Sequence, residues 1–183
     1  MSAVVLNVEE KTGVARELCE QGRWSDVLAF AQKWHAENPT DYTSLYYVGL
    51  GFSGIGRFAE AETAYQRAVA LEPSDFKVWN NLAGLLYENM QREAEGIRCM
   101  EQALKIDPGN KLGWSNLATM VGRMGQHDRA MAYADRAITL DPKFVEAYLH
   151  KGNAAQALGK KAVVREVCLA LAAIAPENFR RAR

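Results

Sequence analysis

Apolar residues recur along this chain at helical spacing. Leu45, Val48, Gly49 and Phe52 share one face of a predicted helix, and Phe58, Ala61, Tyr65 and Ala68 share one face of the next. Trp79, Leu82 and Ala83 open a third stretch of the same kind. Trp114, Leu117, Ala118 and Val121, followed by Ala130, Ala134 and Ala137, repeat it again. Steps of three and four residues mark amphipathic helices, and no segment alternates with the period of a strand. The pattern predicts an all-α chain.

Two kinds of punctuation run in phase with that pattern. Pro39, Pro73, Pro108, Pro142 and Pro176 are 34, 35, 34 and 34 residues apart, and they close the similar strings AENP, ALEP, KIDP, TLDP and AIAP. Gly22, Gly56, Gly125 and Gly159 each stand 17 residues before a proline. Proline lacks an N–H and clashes with the preceding turn, so it stops a helix. Glycine supplies the turn conformation at a helix C-terminus. One period therefore reads as helix, glycine turn, helix, proline turn.

These residues resemble the tetratricopeptide repeat family, whose 34-residue unit reads W-x2-L-G-x2-Y, then A-x3-F, then P. WNNLAGLL (79–86), WSNLATMV (114–121) and YVGLGF (47–52) carry the first half, and EAETAYQRAVALEP (60–73) carries the second. The resemblance implies a single domain over residues 1–183, a right-handed α–α superhelix, or solenoid, of about five helix-turn-helix units. Those units are 8–41, 42–75, 76–110, 111–144 and 145–178, followed by a basic tail at 179–183. Small residues at helix contacts, among them Gly49, Ala61, Ala83, Ala118, Ala130 and Gly152, allow close packing. The third unit is one residue long and has Gln91 where glycine is expected, which predicts a looser turn. Lys11, Trp34, Lys151 and Lys161 also depart from the family pattern.

In this family the first helix of each unit lines a concave face that binds segments of other proteins. The family's register implies that Tyr46, Tyr47, Leu50, Lys77, Asn80, Asn81 and Tyr87 face that groove in the N-terminal half. In the C-terminal half it implies Ser115, Asn116, Thr119, Arg123, Leu149, His150 and Asn153, with Leu112 and Glu146 beside them. Asparagine carries one acceptor and two donors, so Asn81 and Asn116 suit pairing with a ligand backbone. The alternative is that W-x-N-L is simply the repeat's common spelling. Tyr46, Tyr47, Leu50 and Tyr87 form an aromatic and apolar section suited to binding, or else to packing between helices. The family's dicarboxylate clamp needs cations that this chain lacks. Its matching positions are Tyr46, Leu50, Asn81, Leu112 and Asn116, or Asn80, Gly84, Asn116, Glu146 and His150, and Glu146 would repel a carboxylate. No such clamp is expected.

Composition narrows the function further. Lys and Arg total 22, Asp and Glu total 22, and the formal net charge is zero, whereas gripping nucleic acid needs a basic excess. Cys19, Cys99 and Cys168 are odd in number and form no CxxC pair, so neither a disulfide framework nor a zinc site is expected. His35, His127 and His150 lack the i+3 or i+4 partners of a helical metal site, and the glycines follow no strand, so no cofactor is expected. His127, after the Gly125 turn, reads as a packing residue. Glu60–Glu62 and Glu93–Glu95 read as solvated faces, and an enzyme is not expected. The apolar run at residues 3–6 is too short for a signal peptide, and Cys168–Pro176 is too short to span a bilayer. The expectation is a soluble, cytoplasmic protein with no direct membrane insertion.

The last helical stretch, AVVREVCLALAAIAP (162–176), is apolar on nearly every side. Val163, Val164, Val167, Leu171 and Ile174 cannot all face the preceding unit, and an uncovered apolar face marks an interface. Self-association, a tail folded back through Phe179, or a longer parent chain would each cover it. The leading expectation is an adaptor or assembly scaffold that binds a peptide segment of a partner protein. A dedicated chaperone for an aggregation-prone or secreted client and a self-assembling scaffold are the alternatives.

Overall fold

The computed structural model describes residues 6–174. Residues 3–5 of the N-terminal apolar run and the tail with Phe179 lie outside the described residues. The chain divides into two compact units, with the boundary between Cys99 and Met100. The first holds α1 (Val8–Glu20), α2 (Trp24–Glu37), α3 (Tyr42–Gly54), α4 (Phe58–Leu71) and α5 (Phe76–Gly84), which runs into a π turn at Leu85–Asn89. Helix α6 (Glu93–Ile106) carries the boundary. The second unit continues with α7 (Lys111–Arg123), α8 (His127–Leu140), α9 (Val145–Ala157) and α10 (Lys161–Ile174). No strand occurs among the described residues. The architecture is an all-α helical-repeat solenoid.

Short polar side chains start the first helix of most repeats. Asn7 and Glu10 form a reciprocal capping box at α1. Asp41, Asp75 and Asn110 accept from the backbone N–H of Thr43, Lys77 and Gly113 at 2.9, 2.7 and 3.0 Å. Phe144, which precedes α9, offers no such bond. Its ring instead receives the Lys111 ammonium 5.1 Å from the centroid. The proline turns are tied to the following helix by one recurring bond. Trp79 Nε1 donates to the Pro73 carbonyl and Trp114 Nε1 to that of Pro108, both at 2.9 Å, and the Tyr148 hydroxyl donates to Pro142 at 3.2 Å. Lys11, at the equivalent place in α1, forms a 2.6 Å ion pair with Glu37.

The glycine turns share one geometry. Gly22, Gly56, Gly125 and Gly159 have φ between 67° and 79°, the left-handed region that a side chain disfavours. The residue after each glycine donates to the carbonyl five positions back, as Arg57 does to Phe52. Gln91 adopts the same left-handed conformation with φ 54°. Arg92 instead donates six positions back, to Leu86, and Met90 donates to Leu85 in the π turn. The extra residue of the third repeat is absorbed inside the helix, as a π bulge absorbs an insertion.

Trp34 occupies the position held by Ala68, Ala103 and Ala137 in the next three repeats. It is 2% exposed, whereas all three alanines are fully buried. Its ring stacks on Tyr47 with centroids 6.0 Å apart, and Tyr47 meets Tyr46 edge-on at 5.2 Å. Each such pair contributes about 0.5–1.5 kcal/mol beyond area burial. Helices α3 and α4 approach so closely that a Cβ on Gly49 would lie 2.5 Å from the Tyr65 ring.

In the second unit Lys151 stands at an otherwise apolar position. Asp135 at 2.9 Å and Glu166 at 3.7 Å compensate its charge. Burial lowers the Lys151 pKa, but the bond to Asp135 and the charge of Glu166 outweigh it, so the net displacement is upward. The expected terminal apolar face is corrected in one respect. Val167 and Leu171 are buried, and Val167 packs over Gly152 of α9. Val163, Val164 and Ile174 are half-buried, and the outward residue is Leu169, 64% exposed.

Candidate functional site

The groove residues expected in the first unit divide by burial. Tyr47 and Tyr87 are buried, so both belong to helix packing and present no face to a ligand. The Tyr47 stack on Trp34 holds it there, and Tyr87 lies against Gly96. Leu50 is half-buried in the cluster that contains Trp34 and Val48. Tyr46 is half-buried, and burial pushes its hydroxyl pKa up to about 12. Asn81 Nδ2 donates to the Tyr46 hydroxyl at 3.3 Å and to the Lys77 carbonyl at 2.8 Å. Both amide hydrogens of Asn81 therefore serve the fold. Asn80 is half-buried and Lys77 exposed.

The second unit brings four of its seven expected residues together. Thr119 and Arg123 from α7 and His150 and Asn153 from α9 line a cleft of about 230 Å³. Ala118, Gly122, Ala130 and Ala154 supply small side chains there, and His127 at the start of α8 completes the lining. Asn116 is exposed on α7, Leu149 is 48% exposed on α9, and Leu112 is 58% exposed on α7. Ser115 is buried, and it reaches the site only through its carbonyl, which accepts from Thr119 Oγ1 at 3.1 Å.

Thr119 and His150 form the polar centre of the cleft. Thr119 Oγ1 lies 3.2 Å from His150 Nε2. The threonine proton is already given to the Ser115 carbonyl, so the imidazole donates through Nε2–H. The neutral ring then carries its lone pair on Nδ1. Burial holds the His150 pKa below the ordinary histidine value, opposed in part by the charge of Glu146. The sequence pointed to His150 but assigned His127 to packing. Its place directly after the glycine turn, where α8 starts beside the end of α7, was the available signal.

A second cleft, about 400 Å³, lies in the first unit between α2, α3 and α4. His35 sits at its edge, with Nδ1 2.9 Å from Ser44 Oγ and Nε2 3.1 Å from an Arg67 nitrogen. Both ring nitrogens are thus occupied within the fold. Among the described residues no group of three or more histidine, cysteine or acidic side chains is arranged to hold a metal ion. No helix there is long and apolar enough to cross a membrane.

Comparison with known proteins agrees with this architecture. A tetratricopeptide repeat family model matches residues 49–111 and 115–179. A search of curated proteins finds no sequence match. Among solved structures, a MamA structure superposes with a TM-score of 0.81 at 15% identity, over 97% of this chain and 99% of that one. PilF of Pseudomonas aeruginosa gives 0.79 at 17% identity, over 91% and 75%. YrrB, described as a TPR protein with an unusual peptide-binding site, gives 0.74 at 15% identity, over 92% and 87%. At these identities the likeness concerns the fold. The repeated helix pairs, the proline and glycine turns and the family match lead to one statement: the chain belongs to the tetratricopeptide repeat family.

Proposed function

We propose that this protein is a non-catalytic interaction module that binds a peptide segment of a partner protein on the first helices of its C-terminal repeats. The observation that carries this reading is the cleft between α7 and α9. It gathers Thr119, Arg123, His127, His150 and Asn153 over small residues. Its volume of about 230 Å³ is below the roughly 300–1,000 Å³ of pockets that enclose small molecules. It suits a single side chain of a peptide lying across the helices. Exposed Leu112 on α7 and Leu149 on α9 offer apolar contact on the same two helices. Exposed Asn116 can pair with the ligand backbone without reading its side chains. Asn81, with both amide hydrogens engaged by Tyr46 and Lys77, retains only its carbonyl for such a role.

Phage display of random peptides tests this reading. Wild type should enrich a binding peptide. Asn153→Tyr fills the cleft from an exposed position and should weaken that peptide at least about tenfold, while leaving the helical circular dichroism unchanged. Equal affinity of the two proteins would discard the cleft as the site.

A second reading, self-association through α10, is favoured by Leu169, the most exposed large apolar side chain of that helix at 64%. Light scattering of Leu169→Glu addresses it. A molar mass that does not differ from that of wild type would discard that contact.

A further inference from the structure

In the first unit a chain of hydrogen bonds crosses three helices, from Arg67 on α4 through His35 on α2 to Ser44 on α3. The Ser44 hydroxyl donates to the Asp41 carbonyl at 2.7 Å. Its oxygen is therefore left to accept from His35 Nδ1, 2.9 Å away, which places the imidazole proton on Nδ1. The other end of the ring agrees. A guanidinium can only donate, so His35 Nε2, 3.1 Å from Arg67 Nη2, must present its lone pair. The contact with Arg67 thus requires a neutral ring. His35 and Arg67 both line the cleft of about 400 Å³ between α2, α3 and α4, together with the apolar Leu45, Val48, Phe52 and Ala64. Ser44 is fully buried, whereas Arg67 is exposed.

We propose that His35 and Arg67 form a proton-operated latch on this cleft, closed while the imidazole is neutral and released when it takes up a proton. The proton enters at Nε2, the nitrogen that faces Arg67, and turns the acceptor into a donor. Two N–H groups and two positive charges then oppose each other. The bond from Nδ1–H to Ser44 uses the same proton in both states and survives. The buried Ser44 end therefore holds, and the exposed Arg67 end lets go. Release frees α4 from its side-chain tie to α2 and opens the apolar floor of the cleft to solvent. The latch lies in the first unit and is independent of the peptide-binding reading above.

The charges around the ring set the direction. Burial opposes the imidazolium most, Arg67 on α4 adds to that, and the Asp41 carboxylate before α3 acts the other way. Asp41 Oδ1 caps α3 through the Thr43 N–H, and Oδ2 is buried without a hydrogen bond among the described residues. On α4, Glu60 also lines the cleft and is paired with Arg57, and Glu62 is paired with Arg92. On α2, Lys33 and Glu37 flank His35, and Glu37 is paired with Lys11 of α1. The ionisable side chains of α3 are Tyr42, Tyr46 and Tyr47, which stay neutral in the histidine range. The net effect holds the His35 pKa below its ordinary value, so release occurs below about pH 6.5.

Histidine NMR on the full chain tests the latch. At about pH 7.5 the imidazole nitrogen shifts of wild type should show His35 protonated at Nδ1 and bare at Nε2. Arg67→Met removes the cation and should raise the His35 midpoint by about half a pH unit or more. Asp41→Asn keeps a helix cap and should lower that midpoint. A soluble nitroxide reports the opening. Relaxation of the Leu45 and Val48 methyl groups should increase about twofold or more through the His35 midpoint. In Arg67→Met that relaxation should be high throughout and follow no titration. An Nε2–H tautomer, a midpoint unmoved by Arg67→Met, methyl relaxation indifferent to the His35 midpoint, or loss of helical circular dichroism at that midpoint would overturn the proposal.

Discussion

His150 donates its Nε2–H to Thr119, whose own proton goes to the Ser115 carbonyl one turn back on α7. This relay couples a titratable ring on α9 to the backbone of α7. Its first consequence is a pH dependence of stability. The folded state holds the His150 pKa below its unfolded value of about 6.5. The unfolded chain therefore binds the proton more readily, and stability falls as pH drops through about 6.5 toward the lower folded value. His150→Gln retains a donor for Thr119 but cannot titrate. Urea unfolding between about pH 7.5 and pH 5.5 should show a shallower loss for the variant than for wild type. Parallel losses would place the effect elsewhere.

Gln91 holds a left-handed conformation that the other turns assign to glycine. Such a conformation costs a residue with a Cβ roughly 1–2 kcal/mol, and the greater unfolded-state freedom of glycine offsets about 0.5–1 kcal/mol of that. Gln91→Gly should stabilise the protein by a few tenths to about 1 kcal/mol. Gly56→Ala should destabilise it by a similar amount. Chemical denaturation midpoints check both, and a destabilising Gln91→Gly would contradict the account of this turn.

Trp79 and Trp114 each tie a proline turn to the next helix through an indole N–H. Trp114→Phe keeps an aromatic ring and deletes the donor, so it should cost about 0.5–1.5 kcal/mol. Double substitution with Trp79→Phe should be close to additive, because the two bonds share no partner. A neutral Trp114→Phe would reduce the tryptophan to packing alone.

At Gly49 α3 packs tightly against α4. Adding a methyl group there places a Cβ 2.5 Å from the Tyr65 ring, which is itself 1% exposed and has little room to retreat. Gly49→Ala should lower stability by about 1–3 kcal/mol, against the usual gain for Gly→Ala in a helix. Thermal unfolding by circular dichroism distinguishes the two signs.

The helices and their turns were legible in the sequence because local chemistry sets them. Pro39, Pro73, Pro108 and Pro142 close helix pairs, and Gly22, Gly56, Gly125 and Gly159 take the left-handed turns. The π turn was not legible, since the additional residue near Gln91 could have been placed in the turn or in the helix. The site was legible only in part. A helical register places Tyr46 and Tyr47 beside each other, but Trp34, from a different repeat, decides that Tyr47 is buried in a stack. Tyr87 is likewise buried, at a point where α6 comes close to it through Gly96. The convergence of Thr119, Arg123, His150 and Asn153 followed from the register, whereas the contribution of His127 depends on where the α8 start meets the cleft.

The most direct test of peptide binding at the α7–α9 cleft is an amide NMR titration of the whole chain with a display-selected peptide. The expected result is that the largest shifts fall on Thr119, Gly122, Arg123, His127, His150 and Asn153, with α10 and the first unit little changed. Largest shifts on α10, or in the first-unit cleft around His35 and Arg67, would contradict that assignment.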